Sequence, residues 1–334
     1  MQGQITRRAI LGGLAGLGLT AGLTACGQSG SSGGAKKVSI GYIGDYNGAA
    51  LFAIAAEKKL WDAQGLAPDL KVFNNGPLQI QALGTGDLQF GYIGPGAMWL
   101  PASGKAQVCA INSVGNADRL IAQAGISSVA DLKGKKIGIP EGTSGDMITQ
   151  LALEKAGMSY ADVEKVVMDP PTIVSAFSAK QIDAAGIWYP MISNIKQQVP
   201  DLVELAKNED FKDKMAFASA FVMQQGLGDK DKDLVIKVLK VLRAANDFRA
   251  SNPDDAVQLT AKMLKLDAAK VAEDAKNVTQ MPSSELDKLT TDGTISTWLD
   301  SLDKFYIASG KLKQAEAVTP KKYYTGDLYL EAGK

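Results

Sequence analysis

Short β-rich runs alternate with amphipathic stretches through the first two thirds of the chain. Residues 37–43, 70–73, 88–93 and 108–111 read as strands, with 49–60, 78–83 and 97–102 helical between them. A second series begins near Leu120. Its strands fall at 136–139, 165–168 and 183–187, and its helices at 146–156, 173–179 and 191–198. This alternation argues for an α/β fold with largely parallel sheets. The two series share a spacing: Ile40-Gly41 precedes Glu57-Lys58 by 17 residues, and Ile137-Gly138 precedes Glu154-Lys155 by 17 as well. The run from Asp87 to Pro95 also parallels the run from Asp183 to Pro190, one residue shorter. Two similar α/β lobes fit this repeat.

The last third turns helical. Leu234, Val238, Leu242, Ala245 and Phe248 form a stripe close to the 3.6-residue period, and Asn252-Pro253-Asp254 starts another helix with proline at its first position. Ile295, Trp298, Leu299, Leu302, Phe305 and Tyr306 make a second core-facing stripe.

The N-terminus follows different rules. Arg7-Arg8 precedes an uncharged stretch, 9–25, rich in leucine, alanine and glycine and short of the ~20 residues that span a bilayer. Residues 1–25 therefore read as an export signal peptide. Thr6-Arg7-Arg8-Ala9-Ile10-Leu11 looks like a twin-arginine signal, with the general secretory route equally open. Leu23-Thr24-Ala25-Cys26 resembles the lipobox of bacterial lipoproteins, which makes Cys26 the lipidation site. Residues 26–37, rich in glycine and serine, read as a flexible tether.

The 334 residues carry 36 basic and 36 acidic side chains and no histidine. Two of the arginines lie in the leader, so the remainder holds 34 bases against 36 acids. That balance argues against a nucleic-acid partner. Without histidine there is no Ser-His or Cys-His dyad and no imidazole metal ligand, so no catalytic residue, metal or cofactor is expected. Cys109 sits alone in an apolar run and reads as a small buried hydrophobe.

Ligands of open α/β sheets bind beyond the carboxyl ends of strands. Four turns occupy such places: Gly44 to Gly48, Gly94 to Ala97, Glu141 to Asp146, and Trp188-Tyr189-Pro190. Tyr42, Asp45, Tyr46, Asn47, Gly94, Pro95, Gly96, Thr143, Ser144, Asp146, Trp188 and Tyr189 are the candidate ligand contacts. Backbone amides at the helix starts could hold an anion, although Thr143, Ser144 and each Asp also suit capping. None of these turns matches a nucleotide-binding template or a serine-nucleophile elbow.

From about Lys37 to Leu312 the chain resembles the solute-binding proteins of nitrate/sulfonate/taurine ABC importers. The resemblance rests on Ile40-Gly41-Tyr42, on Gln81-Ala82-Leu83-Gly84-Thr85-Gly86-Asp87 with Phe90 to Gly94, and on Ser128 to Gly138. It continues through Gly142-Thr143-Ser144 and the run from Gln181 to Pro190. It implies a two-lobed periplasmic-binding-protein fold of type II, with mixed sheets flanked by helices and a ligand cleft between the lobes. Lobe 1 would comprise 38–117 and 219–334, and lobe 2 would comprise 118–218. The crossings near 112–118 and 216–222 would be the hinge.

The implied function is that of an exported, lipid-anchored receptor, a monomer. It closes on a small sulfonate- or taurine-like solute and delivers it to a membrane permease with a separate ATPase. The candidate turns carry Asp45 and Asp146, with Asp169 and Asp183 at nearby strand ends, and no lysine or arginine. Related proteins often show Trp-Asp-Pro where this chain has Trp188-Tyr189-Pro190. A cationic amine or guanidinium compound is therefore the alternative ligand. An enzyme on the same fold, like the pyrimidine synthases similar to this family, is a further alternative, disfavoured by the absent histidine.

Overall fold

A computed structural model describes residues 34–334. The expected signal peptide, Cys26 and most of the tether lie outside the described residues. Among the described residues, eleven strands build two sheets. The first sheet holds β1 (Lys36–Ile43), β2 (Leu66–Phe73), β3 (Phe90–Ile93), β4 (Gln107–Gly115), β10 (Ala218–Met223) and β11 (Val278–Gln280). The second holds β5 (Asp118–Ala122), β6 (Lys136–Ile139), β7 (Glu164–Val167), β8 (Ala184–Trp188) and β9 (Val203–Lys207).

The order is β11-β4-β10-β3-β1-β2 in the first sheet and β7-β6-β8-β5-β9 in the second. In each, a parallel trio (β2-β1-β3 and β7-β6-β8) is followed by an antiparallel strand, β10 or β5. The sheets are thus mixed, as the family resemblance implied and the bare pattern of alternation did not. The 17-residue spacing also has a structural counterpart. β1 leads into helix Tyr46–Glu57 and β6 into helix Ser144–Lys155, each 12 residues long.

Both antiparallel strands are entered as the chain changes sheet. It leaves the first sheet between Gly115 and Asp118 and returns between Lys207 and Ala218. The sequence pattern did not mark β5 or β10 as strands, and the resemblance implied only crossings near 112–118 and 216–222. Both are wholly buried, so they lack the alternation that marks a half-exposed strand.

Helix boundaries follow local chemistry. The first helix starts at Tyr46, three residues before the expected start, because Asp45 caps it by accepting from the Gly48 amide at 2.7 Å. In helix Lys232–Ser251 the stripe residues Leu234, Val238, Leu242 and Ala245 are buried against the first sheet's core, while Phe248 is half-buried beneath Lys58. In helix Thr294–Ala308, Ile295, Leu299, Leu302, Phe305 and Tyr306 are buried and Trp298 is half-buried. Each fully buried large apolar side chain contributes roughly 1.5–3 kcal/mol relative to exposure. Cys109 is buried in β4, and burial pushes its thiol up to about 12, so it is a packing residue. No helix of the described residues is long and apolar enough to cross a membrane.

Candidate functional site

The carboxyl ends of β1, β3, β6 and β8 face one small cavity of about 60 Å³. That is room for a few waters or one small solute. Eight of the twelve candidate contacts line it: Asp45, Asn47, Gly94, Pro95, Thr143, Ser144, Trp188 and Tyr189. They come from both sheets.

The other four do not line it. Tyr42 follows the period-two rule of a strand. Its neighbour Ile43 reaches the cavity, so Tyr42 points the other way, its ring centroid 5.9 Å from that of Phe52. Tyr46 packs into a small core with Ala50, Val257, Ala261 and Val271, and its hydroxyl accepts from the Gln280 side chain. Gly96 packs backbone against backbone: a Cβ there would lie 1.9 Å from the Thr143 carbonyl carbon. Asp146 is spent locally, accepting from the Gly142 amide at 2.8 Å and the Tyr160 hydroxyl at 2.6 Å. Asp169 and Asp183 also serve the backbone, accepting from the amides of Thr172 and Lys136.

The pattern of turns missed two important contributors, Asp118 and Asp274. Asp118 opens β5 at the first crossing, where its carboxylate accepts from Asn208 at 2.9 Å. Asp274 lies at the end of helix Ala268–Ala275 and accepts from the Tyr46 amide at 2.7 Å. Nothing local marks either residue as a site residue, since their partners are 90 and 228 positions away. Tyr92 and Ser219, from β3 and β10, complete the polar wall.

Much of this wall is cross-linked within the protein. Asn47 Oδ1 accepts from Asn112 Nδ2 at 2.7 Å and from Ser113 Oγ at 2.8 Å, while its Nδ2 donates to Ser219 at 3.2 Å. Asn47 thereby ties the first helix start to the strands that lead to and from the crossings. Tyr189 is fixed from outside: Lys196 donates to its hydroxyl at 2.7 Å, and the hydroxyl donates to Glu204, which also pairs with Arg119 at 2.8 Å.

The electrostatics are one-sided. Asp45, Asp118 and Asp274 are 7%, 5% and 4% exposed, and no lysine or arginine lines the cavity. Burial and the neighbouring Asp274 push the Asp45 carboxyl well above the usual range, against the pull of the Gly48 amide. Burial also raises Asp118, opposed by hydrogen bonds from Ser144 and Asn208, and raises Asp274 to about 6. Tyr92 is raised by burial and then by Asp45. Two buried cations lie nearby: Arg249, donating to the Asn112 carbonyl and to Asn246 Oδ1 behind Tyr46 and Tyr92, and Arg119, donating to the Asp118 carbonyl. The arrangement can bind a small polar solute. The chain carries no histidine, and in the cavity the Ser144 hydroxyl hydrogen-bonds the Asp118 carboxylate.

Residues 47–256 match the family model described as NMT1/THI5 like. A binding protein of Brucella abortus (strain 2308) is 54% identical over 292 residues, covering 87% of this chain and 91% of its own length. An aliphatic sulfonates-binding protein of Bacillus subtilis is 26% identical over 84% of this chain and 85% of its own. Among solved structures, the periplasmic aliphatic sulphonate binding protein of Escherichia coli matches with a TM-score of 0.67 at 19% identity, covering 86% of this chain and 91% of that one. A desulfurization enzyme matches with a TM-score of 0.63 at 15% identity, covering 89% and 98%. The fold is therefore shared by binding proteins and by at least one enzyme.

Proposed function

From the premise that the chain belongs to the NMT1/THI5-like family, among the periplasmic solute-binding proteins of sulfonate-type ABC transport, we propose that it is a lipid-anchored receptor that closes two lobes on one small solute. The lobes are 38–117 with 219–334, and 118–218, hinged where the chain changes sheet. The observation that carries this reading is the cavity itself, walled by turns from both sheets at the carboxyl ends of parallel strands. A solute that touches both walls binds the closed arrangement better and shifts the population toward it.

The receptor acts as a monomer and delivers its solute to a permease driven by a separate ATPase. The names of its relatives support a sulfonate or taurine as the solute. It binds without turnover, a reading supported by the absence of histidine from the chain. Lipid on Cys26 holds it to the outer face of the membrane.

Protein purified without unfolding is expected to release one small solute on denaturation, detected by mass spectrometry and rebound in calorimetry without chemical change. Release of nothing, together with unaltered solute uptake in a strain lacking the chain, would sink the receptor reading. Cys26→Ser should move the protein from the membrane to the soluble fraction. A variant that stays on the membrane would remove the anchor from the proposal.

A further inference from the structure

We propose that the solute carries a cationic nitrogen, an amine or amidine-type group seated among Asp45, Asp118 and Asp274, and that a simple sulfonate is not the preferred ligand. This rests on the receptor reading and names the chemistry of the same cleft.

Three observations carry it. First, the three carboxylates, drawn from the turn after β1, the start of β5 and the end of helix Ala268–Ala275, share one wall of a cavity that no lysine or arginine lines. Second, Asp274 is 96% buried yet only half bonded. Oδ2 accepts from the Tyr46 amide, and Oδ1 accepts no hydrogen bond among the described residues. That oxygen is free to accept from a ligand N–H. Third, the aromatic residues Tyr92 and Trp188 line the same cavity, and aromatic surroundings hold a desolvated cation well.

A bare metal ion fits less well. Among the described residues no three acidic or cysteine side chains converge as metal ligands, so the charge is spread along the wall. A sulfonate placed here would face all three carboxylates. Neither nearby cation lines the cavity: Arg119 pairs with Glu204 and donates to the Asn116 and Asp118 carbonyls, and Arg249 donates through Nη2 to Asn112 and Asn246. The acids are mutually repulsive and, being buried, hold their protons above the usual range. A cation must displace protons from them to bind. The charged and titratable groups facing the trio are Tyr46 and Tyr92, with Arg249 behind them and Arg119 beside Asp118.

The test is calorimetric titration of the full chain with four probes of matched size: propylammonium, propylguanidinium, taurine and propanesulfonate. At least one cation should bind at least about tenfold tighter than propanesulfonate. Its affinity should rise as pH climbs from about 5 to about 7.5, with protons released in buffers of differing ionisation enthalpy. Asp274→Asn should weaken the cation about tenfold or more, whereas Glu273→Gln, an exposed neighbour, should not. Propanesulfonate binding as tightly as either cation, or affinity falling as pH rises, overturns the inference and leaves the receptor reading standing. A natural solute lacking a basic nitrogen does the same. Failure of every probe, with no solute released from the native protein, overturns both.

Discussion

The backbone amide of Tyr46 donates to Asp274 Oδ2 over 2.7 Å, joining residues 228 positions apart. Through this bond the helical last third of the chain reaches the turn after β1, where Asp45 already accepts from the Gly48 amide. Two buried carboxylates meet at one helix start. The positive end of the helix dipole favours them there, but the dipole is worth about half a charge and cannot neutralise both.

Asp274→Asn should therefore stabilise the ligand-free protein at neutral pH. Burial raises the Asp274 carboxyl to about 6, above the ~3.9 of an unfolded chain, so the folded state binds more protons in that interval. Stability is full below about pH 4 and is lost as pH rises through about 6. Asparagine keeps an acceptor for the Tyr46 amide and removes the charge. The variant should gain on the order of 1–3 kcal/mol at pH ~7.5 and nothing near pH ~4. Thermal melts across that range decide it, and a variant less stable at pH ~7.5 contradicts the charge argument.

Asp274 also shows where sequence reading stopped. The strand-turn-helix units were legible because their local signals agree: β-branched runs, glycine turns, and caps such as Asp45 and Thr143. The repeated spacing fits two sheets whose parallel trios run in matching order, and strand-end turns located eight cavity residues. Asp118 and Asp274 carry no such signal, because they reach the cavity through tertiary contacts and helix Ala268–Ala275 ends there only once packed. Asp146 misled for the opposite reason. It stands in the right turn, but Gly142 and Tyr160 claim both of its oxygens.

Two glycines should respond differently to alanine. At Gly96 a Cβ would fall 1.9 Å from the Thr143 carbonyl carbon, between turns that belong to different sheets. Gly96→Ala should leave the ligand-free melt nearly unchanged and weaken solute binding about tenfold or more, by holding the turns apart. At Gly145 a Cβ would fall 2.3 Å from the Gly186 carbonyl oxygen, inside the packing of helix Ser144–Lys155 on β8. Gly145→Ala should lower the melt itself by about 1–3 kcal/mol. Equal losses of stability in both would contradict the assignment of Gly96 to closure.

Glu204→Gln should loosen Tyr189 in the cavity wall. Burial works to raise the Glu204 carboxyl, but hydrogen bonds from Lys196 and Tyr189, and the charges of Lys196 and Arg119, outweigh it and hold the group below its ordinary value. Its contribution is present above about pH 4.3 and lost as pH falls through the lowered folded value. The substitution should cost about 1 kcal/mol of binding, and the deficit should shrink toward acid pH. A pH-independent deficit would indicate lost packing instead.

The last prediction concerns the rim where Trp99 meets Gly142. The Trp99 indole N–H faces the Gly142 carbonyl at 3.4 Å, a long hydrogen bond, and Gly142 is in the left-handed region at φ +73°, pressed against the ring. Lys311 lies 5.1 Å from the Trp99 ring centroid and 3.6 Å from Glu141, which also pairs with Lys165. Trp99 and Lys311 belong to elements around the first sheet, whereas Glu141 and Gly142 follow β6 of the second, so the Trp99–Gly142 and Lys311–Glu141 contacts exist only when the turns meet, and Lys311–Trp99 and Lys165–Glu141 do not depend on it. The contacts differ in kind. The Lys311–Glu141 pair is exposed enough for water and salt to screen it, and such pairs contribute about 0.2–1 kcal/mol. The indole packs a large apolar face and does not depend on salt. Trp99→Ala should weaken solute binding about tenfold at both roughly 0.05 M and 0.5 M salt, whereas Lys311→Ala should weaken it about twofold at the lower salt and not measurably at the higher. If Lys311→Ala proved the larger and salt-independent loss, the closing contact would be the ion pair, and the Trp99 ring would be only its floor.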